Sequence, residues 1–330
     1  MRYLICIEAS HQRGMGHLFR GLHLAQALLG AGHQVLFAVN RDDCSLAILE
    51  KHGFPYELID SYNEEGWEKR VIRDHAPDWW INDRLNTSFA HARAISSTEC
   101  ALATFDDHGE GASLATYNFL AMDLCPARVY PNGRYGPDYI ILNPAIDSYR
   151  KRRIYRSGVE MIIVSFGGSD TYGVTPRVVR FLGTVSRDVA IHIVAGPNFR
   201  NHDELTDAVR ESSRPFIIHN QVADLVEMLA EADLVICAGG ITLFEAAALG
   251  VPALTVANEP HEVHVVEWFA RHGFSVNAGF HQDDFSVALS RNLERLLTDN
   301  DVLRQMGERG PELVDNKGLS RIISLLGTSS

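Results

Sequence analysis

Leu234-Val235-Ile236-Cys237-Ala238-Gly239-Gly240-Ile241-Thr242-Leu243-Phe244-Glu245-Ala246-Ala247-Ala248-Leu249-Gly250-Val251-Pro252 is the stretch on which the fold turns. Its first four residues form an unbroken apolar run, the pattern of a strand covered on both faces. Two glycines follow, and then an alanine- and leucine-rich segment over residues 242–249 that reads as a helix stopped by Gly250 and Pro252. A second apolar run, residues 253–256, starts at once. Strand, glycine loop, helix and strand in that order make a βαβ unit, and a βαβ unit needs a parallel sheet.

The same rhythm continues outward. Downstream lie helical patterns from about 261 to 272, at 284–297 and at 319–326. Upstream, strand patterns at 161–165, 190–195 and 216–218 surround a helix over 175–182. Nearer the start, a strand over 3–7 leads through a loop to a helix over 17–29 with Leu18, Leu22, Ala25 and Leu29 on one face. Gly30 and Gly32 end it before a strand over 34–39, and residues 79–81, 101–105 and 139–142 read as further buried strands. The less regular stretch 144–158, with Arg150-Lys151-Arg152-Arg153, reads as a solvated linker. The expectation is an α/β chain of two doubly wound halves, residues 1–147 and 148–330, with ligands at the carboxyl ends of the strands and the pocket in the cleft between domains.

Length and composition agree. At roughly 150 residues per domain, 330 residues make two domains. Hydrophobic content of 46% and charged content of 22% exclude disordered, collagen-like and disulfide-scaffold classes. Thirty basic against 42 acidic residues leave a net charge of −12, which argues against nucleic acid and anionic membranes as bulk partners. A local positive pocket for one phosphate-bearing small molecule stays compatible with that balance. Five scattered cysteines without CxxC spacing suit a reducing compartment. The first apolar run is too short for a signal peptide, and none approaches the roughly 20 residues that span a bilayer. A soluble, cytoplasmic protein without stable membrane insertion is therefore expected; the sequence sets no expectation for oligomeric state.

Three loops carry the chemistry. In the first, Gly14 and Gly16 permit a tight turn, and the helix behind them offers free N–H groups to a phosphate with His17 at its mouth. A dinucleotide fingerprint fails there, because the third glycine is Phe19 and no acidic residue cleanly ends the second strand. The second loop, Ser165-Phe166-Gly167-Gly168-Ser169-Asp170-Thr171, suits a backbone nest around an anion, or a plain turn in which Ser169 or Asp170 caps the next helix. In the third, Gly239 and Gly240 precede a helix start able to face a diphosphate, with Thr242 as a hydroxyl donor. Glu245, expected in the first helical turn, either holds ribose hydroxyls or caps the helix with Thr242.

Gly239-Gly240-x-Thr242-x-x-Glu245 through Ala248-Leu249-Gly250-Val251-Pro252 resembles the nucleotide-sugar segment of GT-B enzymes. Together with Gly14-Met15-Gly16-His17-x-x-Arg20 and Phe166-Gly167-Gly168-Ser169-Asp170, the chain resembles the UDP-2,4-diacetamido-2,4,6-trideoxy-β-L-altropyranose hydrolase family of pseudaminic acid biosynthesis, including its spore-coat polysaccharide relatives. The motifs stand in the family order from Ser10 to about Gly279. The resemblance implies a GT-B-like fold and attack of water on the anomeric carbon with release of UDP, without cofactor or metal. It makes His17 the catalytic base and Gly14, Gly16, Gly167, Gly168, Ser169, Gly239, Gly240 and Thr242 the diphosphate site. Glu245 would hold the ribose, and the backbone near residues 218–222 the uracil.

The chain departs from the family in two places. Asn82-Asp83-Arg84-Leu85 stands where the family shows Asp-His-Tyr, so Asp83 alone is kept. Asn258-Glu259-Pro260-His261-Glu262 stands where an Asn-Gln pair touches the sugar, which leaves Asn258, His261, Glu262 and Arg20 as the sugar-side candidates. Asp106-Asp107-His108 matches a family-like acidic pair; Asp107 either helps orient His17 or the sugar, or caps a loop.

Other classes fall away. His261-Glu262-Val263-His264 is one residue short of a zinc motif, and neither a GxxxxGK[ST] phosphate loop nor a GxSxG elbow occurs. Trp79-Trp80 reads as core packing. Three readings remain: a UDP-sugar hydrolase first, a GT-B glycosyltransferase with a saccharide acceptor second, a nucleotide-sugar-binding protein third. The first two share every donor residue and differ in whether His17 deprotonates water or an acceptor hydroxyl.

Overall fold

A computed structural model of the chain describes residues 1–8, 16–59, 62, 66–84, 86–126, 129–220, 222 and 224–327. Among them two parallel sheets form, in two compact units: residues 1–141 with 317–330, and residues 142–316. The expected boundary near 147 is thus corrected to 141/142. The C-terminal helix Gly318–Gly327 belongs to the first unit, where Ile322 and Leu326 complete the core.

The first sheet contains β1 (Arg2–Ile7), β2 (Gln34–Val39), β3 (Tyr56–Leu58), β4 (Trp79–Asp83), β5 (Ala101–Phe105), β6 (Tyr117–Leu120) and β7 (Gly133–Tyr135), in the order β3-β2-β1-β4-β5-β6-β7. The central strands are buried nearly end to end, which is why they read as apolar runs rather than alternating ones. One face packs on the helices Gly16–Gly30, Asp43–Lys51 and Gly318–Gly327 through Leu18, Leu22, Leu49 and Ile322. The other packs on Trp67–His75 and Phe89–Ser96 through Trp67, Val71, Ala92 and Ile95. Gly21 lets the first helix press on the sheet: a Cβ there would lie 2.7 Å from Ile7 Cδ1.

The second sheet contains β8 (Met161–Ser165), β9 (Ala190–Ala195), β10 (Ile217–Asn220), β11 (Leu234–Cys237), β12 (Ala253–Ala257) and β13 (Ser275–Phe280), in the order β10-β9-β8-β11-β12-β13. This matches the first six strands of the other sheet, and both follow the doubly wound 3-2-1-4-5-6 pattern.

Two expectations change. Residues 139–142 are not a strand: a 3-10 turn, Pro137–Tyr139, runs into extended backbone that packs closely under Gly318. The basic run is not a solvated linker. It ends the helix Ile146–Arg152, and Arg150 donates to Ala248 O while Arg153 donates to Ala230 O and Ala232 O. Carbonyls at helix C-termini lack intrahelical partners and attract cations, which accounts for the placement.

Candidate functional site

In the first unit, β1 and β4 end side by side, with Ile7 opposite Asp83. The connections leave in opposite directions there, so the edge is a topological switch point. The helix Gly16–Gly30 carries His17 on its first turn and Arg20 at the start of its second. His17 Nδ1 lies 2.6 Å from Asp83 Oδ1. Arg20 grips the same carboxylate twice, Nε to Oδ2 at 2.8 Å and Nη2 to Oδ1 at 2.6 Å, and its Nη1 donates to Asp106 Oδ2. Arg20 Nη2 also stands 3.3 Å from His17 Nδ1, but the shorter contact assigns its proton to Asp83.

These charges stand together because each is paired. Burial works to raise the Asp83 carboxyl, yet Arg20 and His17 hold it far below the usual carboxylate range. Burial likewise pulls Arg20 down, and Asp83 and Asp106 more than reverse it. An ionised carboxylate on Nδ1 keeps the ring proton there and leaves Nε2 with its lone pair. The His17 side chain is 19% exposed, against 3% for Asp83. The base-like end of the dyad therefore belongs to the member that meets solvent.

Asp107, expected beside His17, serves elsewhere. Its buried carboxylate accepts from Thr87 N at 3.0 Å, from Gly109 N at 2.8 Å and from the Thr87 hydroxyl, pinning the loop after β4 to the loop after β5. The loop-capping alternative is the one observed. Its neighbour Asp106, in the left-handed region at φ 44°, turns back to Arg20. Gly16 starts the helix and is exposed; Gly14 lies outside the described residues.

In the second unit, Cys237 pairs with Ser165 and with Thr255, so β8 and β11 end level with one another at the switch point while β12 runs on to Ala257. Gly167 takes φ 82°, and none of the N–H groups of Gly167, Gly168 and Ser169 donates to a partner among the described residues. The Ser169 hydroxyl sits 3.1 Å from that of Thr171. Asp170 is the cap of this loop: its carboxylate accepts from Val174 N at 2.9 Å and Thr175 N at 2.8 Å. Beside it, no side chain caps the helix Ile241–Leu249 at Gly240, and Thr242 is half-buried in its first turn. Unclaimed N–H groups on two adjacent loops are what an anion requires.

Glu245 lies in the second turn of that helix, not the first, and makes no cap with Thr242. Among the described residues it has no hydrogen-bonding partner. Burial, helped by the charge of Asp224, pushes its carboxyl up to about 8. Glu262, expected at the sugar, is a brace instead. Its carboxylate accepts from Asn258 N at 2.8 Å, from Glu259 N at 3.1 Å and from the Gly239 N–H, tying the loop after β12 to the glycines after β11. Asn258 is buried with its Oδ1 unpartnered, and His261 is exposed on a 3-10 turn. The uracil segment is partly outside the described residues, at Gln221.

Sequence reading passed over Tyr172. Its ring stacks on His281 at 4.0 Å and its hydroxyl donates to Glu259 at 3.3 Å, joining the loop after β8 to those after β12 and β13. Among the described residues no group of three or more His, Cys, Asp and Glu side chains gathers as a metal site would. No helix among them is long and apolar enough to cross a membrane.

Residues 178–313, all in the second unit, match the model of glycosyl transferases group 1. The spore coat polysaccharide biosynthesis protein SpsG of Bacillus subtilis is 26% identical over 98% of this chain and 96% of that one. An uncharacterized protein of Methanocaldococcus jannaschii is 27% identical over 78% of this chain; the match spans about half of that relative's length, 55%. The UDP-N-acetylglucosamine–N-acetylmuramyl-(pentapeptide) pyrophosphoryl-undecaprenol N-acetylglucosamine transferase of Ralstonia nicotianae is 26% identical over 75% of each chain. Among solved structures, MurG of Acinetobacter baumannii superposes with a TM-score of 0.71 at 15% identity over 99% of both chains. The spinosyn rhamnosyltransferase SpnG complexed with thymidine diphosphate does so at 0.66 and 16% identity, over 99% of this chain and all of that one. The chain therefore has the GT-B fold, two parallel-sheet Rossmann-like domains, and its second unit is similar to glycosyl transferases group 1.

Proposed function

We propose that the protein is a glycosyltransferase that takes its sugar from a UDP-sugar and passes it to a hydroxyl acceptor. The observation that carries this reading is the His17–Asp83 dyad, an imidazole with Nδ1 held by a carboxylate whose ionised form Arg20 and His17 favour. Such a ring accepts a proton at Nε2 as the hydroxyl oxygen attacks the anomeric carbon. The bond from that carbon to the diphosphate oxygen breaks, and the nucleoside diphosphate leaves with the electron pair. The N–H groups of Gly167, Gly168 and Ser169 and the uncapped helix start at Gly240 and Thr242 would hold the departing diphosphate, and Glu245 the ribose hydroxyls. The group 1 match over residues 178–313 and the transferase relative support transfer to a saccharide.

Hydrolysis is the same chemistry with water as the acceptor. On its side stands the limited exposure of His17, 19%, which admits water more readily than a saccharide. UDP release from a panel of UDP-sugars, measured with and without saccharide acceptors, tests both: acceptor dependence supports transfer, equal rates support hydrolysis, and silence leaves a binding protein. His17→Ala should lower turnover by about 10³-fold with UDP affinity unchanged. A fully active variant removes the assigned base.

A further inference from the structure

Arg84 directly follows Asp83 at the end of β4 and stands outside the hydrogen bonds that join His17, Arg20, Asp83 and Asp106. Its guanidinium lies 4.0 Å over the ring of Tyr62. Tyr62 is itself fixed, because its hydroxyl donates to Ile7 O, the last carbonyl of β1, at 2.7 Å. The Arg84 side chain is 15% exposed, and its nearest carboxylate is Glu8, 3.4 Å from Nη2 at the long limit of a hydrogen bond. Its Nε is buried with no hydrogen-bonding partner among the described residues. Arg20 next to it shows how this fold treats a buried arginine it needs for structure, with two bonds to Asp83 and one to Asp106 in the range of strong charge-assisted contacts. A largely buried cation whose Nε has no partner among the described residues and whose Nη2 makes one long contact is costly unless something else fills those donors. Stacking on an aromatic face leaves those donors pointing edgewise, the geometry that grips a planar or tetrahedral oxyanion.

We infer that Arg84 is a specificity residue that binds an anionic group, carboxylate or phosphate, on the acceptor. Glu8 acts as the resident counterion that the ligand's oxygens replace. The inference rests on the transferase reading for the word acceptor, but the anion site itself does not.

The test follows the Arg84 Nε–Hε resonance in the full-length, UDP-saturated protein, assigned by its loss in Arg84→Lys. Three probes are titrated: glucuronate, glucose 1-phosphate and glucose. Glucuronate or glucose 1-phosphate should shift the resonance and bind at least ten-fold more tightly than glucose, and whichever binds better names the anion. Arg84→Lys, which keeps the charge but not the fork, should weaken that probe about ten-fold while thermal stabilisation by UDP stays the same. Equal responses to all three probes, or undiminished binding by the lysine variant, would overturn the inference. Should Arg84→Lys fail to fold, the wild-type titration decides, with Arg84→Gln supplying the assignment. Absence of UDP stabilisation with an intact anion response would instead count against the nucleotide-sugar reading alone.

Discussion

The two sheets share a strand order and a switch point, yet their carboxyl edges are finished in opposite ways. In the first unit the edge is filled by the protein's own charges: His17, Arg20, Asp83 and Asp106 pair with one another at 2.6–2.8 Å and through the Arg20–Asp106 contact. In the second the edge is left open, with uncapped N–H groups and a Glu245 carboxyl that no described residue satisfies. A preassembled charge network suits a group that must act at one geometry, and an unsatisfied one suits a surface that is completed by its ligand. The contrast teaches that topology places a site and side-chain pairing decides what kind of site it is.

The sharpest way to break this comparison is Asp83→Asn. The amide cannot hold His17 in the same tautomer or balance Arg20, so turnover should fall by about 10³-fold and stability by about 3 kcal/mol, read by initial rates and urea unfolding. UDP affinity should not move, because nothing in the second unit changes. Gly239→Ala comes next. The new Cβ would lie 2.7 Å from Glu262 Cβ and 2.9 Å from Glu262 O, so the braced loop must shift. UDP binding should weaken about ten-fold with about 2 kcal/mol of stability lost. Gly240→Ala meets its nearest neighbour, Glu262 Oε1, at 3.4 Å and should spare stability while weakening UDP.

Acid and base should separate the two edges by sign. Asp83 is depressed in the folded state, so its contribution is present above the unfolded carboxylate value, near 4, and is lost as pH falls below it. Glu245 is raised, from 4.5 to about 8: the folded chain keeps a proton that the unfolded chain releases, and stability declines between those values as pH rises. Glu245→Gln should therefore match the parent at pH 4 and exceed it by about 2 kcal/mol at pH 8, the full shift being discounted for residual solvent contact. If ribose hydroxyls donate to the carboxylate, wild-type UDP affinity should climb toward pH 8 and the glutamine variant's should stay flat. Titration calorimetry across that range reads the difference.

Much of this was legible before any coordinates. The strands buried on both faces, β1, β8, β11 and β12, announce themselves as apolar runs, the last three with a glycine close by. The short strands β3 and β7 do not, because three half-buried residues carry no periodicity. Residues 139–142 misled because their apolar side chains serve a packing partner far along the chain, the helix Gly318–Gly327, rather than a sheet neighbour. At the site, His17 and Asp83 followed from motif order. The choice between Asp106 and Asp107 could not, since a single left-handed turn sends adjacent carboxylates to opposite tasks. Nor does spacing distinguish Glu262, which stands where a sugar ligand was expected and spends its oxygens on backbone amides.

The return of Gly318–Gly327 to the first unit has a consequence for biosynthesis. The core that positions His17 lacks Ile322 and Leu326 until residues 318–327 have emerged from the ribosome, whereas residues 142–316 emerge before them. The half translated last can therefore reach its native packing first, and the half translated first must wait with an apolar groove uncovered, the interval in which a chaperone would be of most use.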